Sequence, residues 1–571
     1  MKNRYIFGVA ALALAMGLSS CDDFLDEPVR GSEGLDTYFS SPEEIEAFVG
    51  GCYFEIMKND WWQIANPWNM SQMCTDDAWD GNTSQEDGNA EVSHYYASSP
   101  SNGILQNFWG ARFQGINTCN TAIYRIPNSP VTDEALKSRA VAEARFLRAF
   151  FYFDLARHFG GVPILTMPTD QEPTEGKTRA TQEEVYQFCA DEFAAVAEVL
   201  PKRSAQDATK RGHATRGAAL GLQGKVLVYM GKYDEAKTVL GTLIGENEYD
   251  LLPEFGQVWD ADFNNSIESL FEVQRAYFNE TYIMGSPLAV LTGLRGNCAI
   301  GDGWAWCMPT SDLENAYINA GDTERLRWTI VKTGCSEIAG ENRFEEYVER
   351  NKKMFPGGIE DASWIQYKEL FGWQDDQFET CYFIDPAIHK SSRFIRKFYQ
   401  PLEDRPLNAD GESVYGMNKS NINERILRYA DVLLLMAEAC NETQDDGTAR
   451  TYLNRVRSRV GLPDVTASGD ALRQAIRLER RLELAFEWTR LDDIRRWKGA
   501  DGRPLIESLM GPNGSFVLYN TGDNADPYEA WNQGELSTKG QRFTSPRDLL
   551  WPIPLYEIQH SNGAITQNPG Y

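Results

Sequence analysis

Two stretches of this 571-residue chain concentrate aromatic rings among small polar residues. The first holds Trp61, Trp62, Trp68 and Trp79 among Asn66, Asn69, Asp76, Asp77, Asp80 and Asn82. The second holds Tyr277, Tyr282, Asp302, Trp304, Trp306 and Thr310. Flat rings pack on the C–H faces of sugars, and amides and carboxylates bond their hydroxyls, so both stretches suit carbohydrate binding. Trp61, Trp62, Trp68, Asp76, Asp77, Trp79, Tyr277, Trp304 and Trp306 are therefore the candidate ligand contacts. Of Trp304 and Trp306, one at most is expected to touch a ligand directly.

No catalytic signature accompanies them. The chain has no G-x-S-x-G, Walker A, H-E-x-x-H or dinucleotide fingerprint. His94, His158, His213, His389 and His560 are isolated. Glycoside hydrolysis needs only two carboxylates some ~5–10 Å apart, and 83 acidic residues keep a glycoside hydrolase as the alternative from another class. Metal ligation is weakly marked. Asp260, Asp262 and Asn264 begin like a calcium loop, but Asn265 stands where glycine is required and Phe271 where glutamate closes the loop. No cofactor and no metal site follow from the residues.

The elements that must position these stretches are helical. Ala214–Ile244 reads as two amphipathic helices meeting at Gly231, with Ala218, Leu222, Val226 and Tyr229 on one face and Tyr233, Ala236 and Leu240 on the other. Ala219, Gly221 and Gly224 allow a close neighbour. A small residue, then Gly-x-Tyr, then Ala three residues on is the skeleton of a tetratricopeptide hairpin. Glu424–Val460 repeats the plan, with Leu427, Ala430, Leu434 and Ala437 on its first helix. Val141–His158 with Thr181–Leu200, and Pro42–Met57 with Leu105–Ile126, make about four units, which need stacked neighbours to bury their faces. Ser41 before Pro42 is a clean helix start. Asp470–Trp497 reads as one further amphipathic helix, and 249–419 as mostly irregular with strand-like runs at Leu270–Val273 and Phe394–Phe398. The fold class is mainly α: a tetratricopeptide-like scaffold over about 41–58, 105–244 and 420–500, with large irregular insertions over about 59–101 and 250–419.

The N-terminus carries an address. Lys2 and Arg4 precede the short apolar run Ile6–Met16, and Leu18-Ser19-Ser20-Cys21 resembles a bacterial lipoprotein signal. Residues 1–20 are then the signal peptide, Cys21 the acylated residue and 21–40 an acidic tether. The formal charge of −28 repels nucleic acid and anionic headgroups. The ten cysteines form no C-x-x-C and no disulfide framework.

Three further motifs carry a resemblance. They are Glu143–Ala149 with Tyr152–Leu155 and Phe159-Gly160-Gly161-Val162-Pro163; Glu479–Glu487 with Arg490, Asp492 and Arg495-Arg496-Trp497; and Trp551-Pro552-Ile553-Pro554 with Gln567–Tyr571. With Cys21 they resemble the SusD/RagB family of outer-membrane nutrient-binding lipoproteins from Bacteroidota, from the lipobox to the last residue. Trp488 departs from the family's usual glycine, and His560–Ala564 replaces its usual Asn-Pro-Asn-Leu-like run. The resemblance implies a non-catalytic protein on the cell surface, anchored in the outer membrane by lipid. It also implies capture of an oligosaccharide for a SusC-like TonB-dependent transporter, over which the lipoprotein sits as a lid. Peptide capture by the same fold is the alternative it leaves, and calcium is found in some members. Arg145, Arg148, Glu479, Arg480, Glu483 and Glu487 fall at spacings for i,i+3 and i,i+4 pairing, a scaffold role.

Overall fold

The structure is a computed structural model. It describes residues 38–57, 70–79, 96–279, 282–293, 303–332, 352, 355–362, 364–365, 368, 375–379, 391, 393–399, 406–408, 411, 419–522, 529 and 539–571. Cys21 with the leader, and Trp61, Trp62 and Trp68, lie outside the described residues.

The scaffold is built of helices, and the first six pack each on the next in chain order. It comprises α1 (Pro42–Met57), α2 (Gly103–Arg125), α3 (Glu134–Phe159), α4 (Gln182–Ala197), α5 (Arg216–Tyr229) and α6 (Tyr233–Gly245). Further along lie α7 (Ser311–Ala320) and α8 (Thr323–Thr329). The last group is α9 (Tyr429–Glu442), α10 (Asp446–Arg459), α11 (Gly469–Glu483), α12 (Arg490–Arg496) and α13 (Leu555–His560). The starts follow local chemistry. Ser41 accepts from the Glu44 amide at 3.2 Å, and the Glu44 carboxylate returns to the Ser41 amide at 3.0 Å. Thr181 and Glu184 form the same reciprocal box on α4.

The α5–α6 hairpin shows why small residues recur. Gly231 turns the chain at φ 72°. A Cβ on Gly224 would lie 2.3 Å from Leu240 of α6, and one on Gly221 would lie 2.7 Å from Leu427. Ala218, Leu222, Val226, Ala236 and Leu240 enter one continuous core with Ala437 of α9. Among the described residues, Cys52, Cys74, Cys119, Cys189, Cys307 and Cys440 are free and buried, small members of that packing.

Two expectations change. Leu427 is not helical, because Glu424–Arg428 is a strand, β8. The strand β2 (Ser269–Val273) pairs antiparallel with β8, Ser269 facing Arg428, which staples the second insertion to the scaffold. The expected helix Asp470–Trp497 is two helices, because Phe486 and Trp488 adopt φ 62° and 61° and break the run. Trp488, where the resembled pattern has glycine, keeps a left-handed backbone that glycine adopts more readily. Its ring offsets that strain by burial and by stacking on Phe398 at 5.7 Å, 18°.

Arg145, Arg148, Glu479, Arg480, Glu483 and Glu487, expected to pair along their helices, hold distant elements together instead. Arg145 and Arg148 both reach Glu192 of α4, each at 2.7 Å. Arg480 joins Asp431 of α9 at 2.7 Å, and Arg325 of α8 joins Glu479 at 2.6 Å and Glu483 at 2.9 Å. Glu487 accepts from Lys397 and Arg428. The Asn568 amide bonds the carbonyls of Phe159 and Trp551, so the first and third motifs clasp each other.

Candidate functional site

Two residues of the first insertion, Ala78 and Trp79, form β1. They pair antiparallel with Met308–Pro309 of the second insertion, β5, with Ala78 opposite Pro309 and Trp79 opposite Met308. The Thr310 amide donates to the carbonyl of Asp77 at 3.0 Å, and its hydroxyl to that of Asp76 at 2.7 Å. Stretches more than 200 residues apart thus meet as one structure. This juxtaposition was invisible along the chain, because a two-residue strand carries no period.

The acidic pair beneath the ladder is spent on the scaffold. Arg490 holds Asp76 bidentately at 2.9 and 2.7 Å, and Arg481 takes Asp77 at 2.8 Å and Asp312 at 2.6 Å. Burial by itself would raise the Asp76 carboxyl, but the fields of Arg490 and then Arg481 hold it well below the usual carboxylate range. Burial pushes Asp77 upward, aided by its charged neighbour Asp76 and opposed by Arg481. Both carboxylates are sealed from solvent, which corrects the expectation that they bond a ligand and removes them as a hydrolytic pair.

The aromatic candidates divide by exposure. Trp79 is 1% exposed, packed on Phe516 at 5.8 Å and capped by the Lys539 ammonium 4.8 Å from its ring. Trp306 and Tyr277 are also buried. These three support the site from below rather than lining its surface, a second correction. Trp304 alone of the described candidate rings is half-buried. In an ideal strand Trp304 and Trp306 would share a face. Ala305, at φ 59°, breaks the extended run between them, and the amides of Trp304 and Trp306 are fixed by the carbonyls of Val290 and Leu291 at 2.8 Å each. Left-handed non-glycine residues are costly, by roughly 1–3 kcal/mol each, and persist where surrounding structure enforces them.

One residue escaped the sequence reading. Phe278 lies on β3 (Ala276–Asn279), which pairs with β4 (Tyr282–Met284), and is 68% exposed. Alternation was the available signal: with Tyr277 inward, its neighbour must face outward. Among the described residues, β6 (Ile330–Lys332) and β7 (Arg393–Ile395) also pair antiparallel. Among the described residues no group of three or more His, Cys, Asp or Glu side chains could hold a metal ion.

A helical-repeat scaffold carrying aromatic insertions defines a class of binding protein, and comparison with known proteins places the chain within it. The model described as "SusD family" matches residues 292–571, and the one described as "Starch-binding associating with outer membrane" matches 23–228. The SusD-like protein P2 of Formosa agariphila is 24% identical over 589 residues, covering 99% of both chains. A SusD homolog from Bacteroides thetaiotaomicron superposes with a TM-score of 0.71 at 21% identity, over 94% of this chain and 98% of that one. The surface glycan-binding protein A from Bacteroides thetaiotaomicron, solved with laminarihexaose, gives 0.65 at 21% identity over 92% and 99%. The chain belongs to the SusD/RagB family, whose members are non-catalytic, carbohydrate-binding proteins associated with the outer membrane.

Proposed function

We propose that this protein is a lipid-anchored glycan-binding protein of the cell surface, which captures oligosaccharides and delivers them to a SusC-like TonB-dependent transporter. The observation that carries the reading is the β1–β5 ladder, which gathers both aromatic insertions onto one rigid support. Binding residues belong on such loops. Trp304 and Phe278 are the direct contacts we propose among the described residues. Trp61, Trp62 and Trp68 are proposed contacts in the first insertion, while Asp76, Asp77, Trp79, Tyr277 and Trp306 hold the platform. The complex of a relative with laminarihexaose supports a neutral chain as ligand, and the charge of −28 disfavours polyanionic ones. Calorimetry against laminari-, malto-, cello-, xylo- and mannohexaose tests the reading. Micromolar or tighter binding of at least one, unaltered on recovery, is the expected result. A parent that binds peptides and no glycan sinks the substrate class and leaves the family intact.

A further inference from the structure

A cleft of about 450 Å³ opens on the scaffold itself, between α2, the loop 163–177 and the C-terminal helix α13. None of its lining residues belongs to either aromatic insertion. Its size falls within the range of small-molecule sites.

Its chemistry is specific. Trp109 and Phe113, one turn apart on α2, form an apolar floor with ring centres 5.0 Å apart. Tyr556 and His560, one turn apart on α13, stack at 3.9 Å and 26° and form a wall. The His560 Nδ1 donates to the Tyr556 carbonyl at 2.8 Å, which fixes the ring and leaves Nε2 as an acceptor. Tyr556 is 50% exposed, so this preset stack presents an open face. Opposite stands Gly110, mid-helix, where an added Cβ would meet nothing within 4 Å. Glycine is a poor helix former, and the open space at this position admits a side chain that could reach into the cleft.

The rim is polar and balanced in sign. Asn117 spends its Oδ1 on the Thr169 amide at 2.9 Å, and Glu175 and Lys177 bring one charge of each kind. Glu557, within the cleft, takes a hydrogen bond from Trp109, and burial raises its carboxyl toward the neutral form. Stacked rings, an open backbone and a rim of mixed donors and acceptors fit an uncharged ring with one apolar face and several hydroxyls. His560 and Ser561, the first two residues of the stretch that departs from the pattern the chain otherwise resembles, line this cleft.

We infer that the cleft between α2, the 163–177 loop and α13 is a second carbohydrate subsite, which takes a neutral pyranose residue of a glycan on the scaffold side. The inference rests on the glycan-binding reading above. Its test is calorimetry of the full chain with the same five hexaoses, using the parent, Gly110→Ala, Gly110→Trp and Tyr556→Ala. Gly110→Trp fills the cleft from an exposed helical position and touches none of the aromatic insertions. The parent should take two glycan molecules per chain, and Gly110→Ala should match it with an unchanged or higher melting temperature. Gly110→Trp and Tyr556→Ala should take one, or bind the second at least tenfold more weakly. Stoichiometry and affinities unchanged in both variants would falsify the subsite and leave the insertion site standing. A parent that binds none of the hexaoses overturns the subsite and the glycan reading together. If Gly110→Trp spares glycan binding but abolishes recovery of a β-barrel partner, the cleft is a protein contact and the inference fails.

Discussion

His158 shows how much one side chain can be asked to hold. It is fully buried on α3, with Nδ1 2.7 Å from the Asp154 carbonyl and Nε2 2.8 Å from the Ser71 hydroxyl. A carbonyl only accepts, so Nδ1 carries the proton and Nε2 receives the hydroxyl's. Burial first, and Arg157 next, push its pKa down to about 3. The unfolded chain therefore takes up a proton between pH ~6.5 and ~3 that the fold refuses. Stability from this residue is complete above pH ~6.5 and is lost as pH falls, by at most about 1.4 kcal/mol per unit. Asp154, which burial would raise but Arg112 and Arg157 hold well below the usual range, adds its loss only below pH ~4. Melting temperature should fall from pH 7 to pH 5 in the parent and fall less in His158→Gln; equal slopes would remove His158 as the cause. The tryptophans divide in the same way. Trp79→Ala empties a core position and should cost roughly 3–5 kcal/mol. Trp304→Ala should leave the melt within about 1 kcal/mol of the parent, yet weaken glycan binding by about 1–2 kcal/mol or more. Reversed effects would exchange their roles.

Between elements, α5 and α6 approach closely at Gly224. With Leu240 2.3 Å from where a Gly224 Cβ would stand, Gly224→Leu should overpack the hairpin and cost roughly 1–3 kcal/mol in a denaturant melt; a melt identical to the parent's would mean the helices are not pressed together there. Arg325 binds the scaffold by charge: it faces Asp322, Glu479 and Glu483 in the interior, sharing Glu479 with Arg457 and Glu483 with Arg428 and Arg459. Arg325→Met would leave Asp322 without its arginine while Glu479 and Glu483 keep their other partners, so the cost should be about 3 kcal/mol, read by chemical denaturation. This contrast explains what was legible in the sequence. The hairpins showed themselves because Ala218, Leu222 and Val226 repeat at 3.6 residues, a signal carried locally. Leu427 misled because an apolar residue beside a helix start serves a strand equally well. Phe486 and Trp488 gave no warning, since bulky residues rarely adopt positive φ. Asp76 and Asp77 looked like ligand groups because their arginines lie more than 400 residues away, and one sequence does not reveal such pairings. The aromatic insertions were visible as composition; which rings face outward depended on packing that composition does not encode.

For the molecule as a whole, attachment and partnership decide the function. No helix among the described residues is long and apolar enough to cross a membrane, and the anchor we propose at Cys21 is a different route to the bilayer. Several acyl chains on Cys21, each buried CH₂ worth ~0.8 kcal/mol, hold a protein firmly at a bilayer. Cys21→Ser should move the protein out of the membrane fraction and abolish acyl labelling. Unchanged membrane association would show that the anchor lies elsewhere. Lipid fixes position but confers no passage, so a protein that captures glycan at the surface still needs a pore to receive it. The three motifs shared with the family clasp α3, α12 and the C-terminal tail into one rigid body, which suits a lid that moves as a unit over a barrel. Mild detergent should therefore co-extract a large β-barrel protein with this lipoprotein. The pair should survive cross-linking in the Cys21→Ser background, where the anchor no longer brings the two together. Repeated isolation of the lipoprotein alone, in both backgrounds and under cross-linking, would make it a free-standing binder and end the delivery reading.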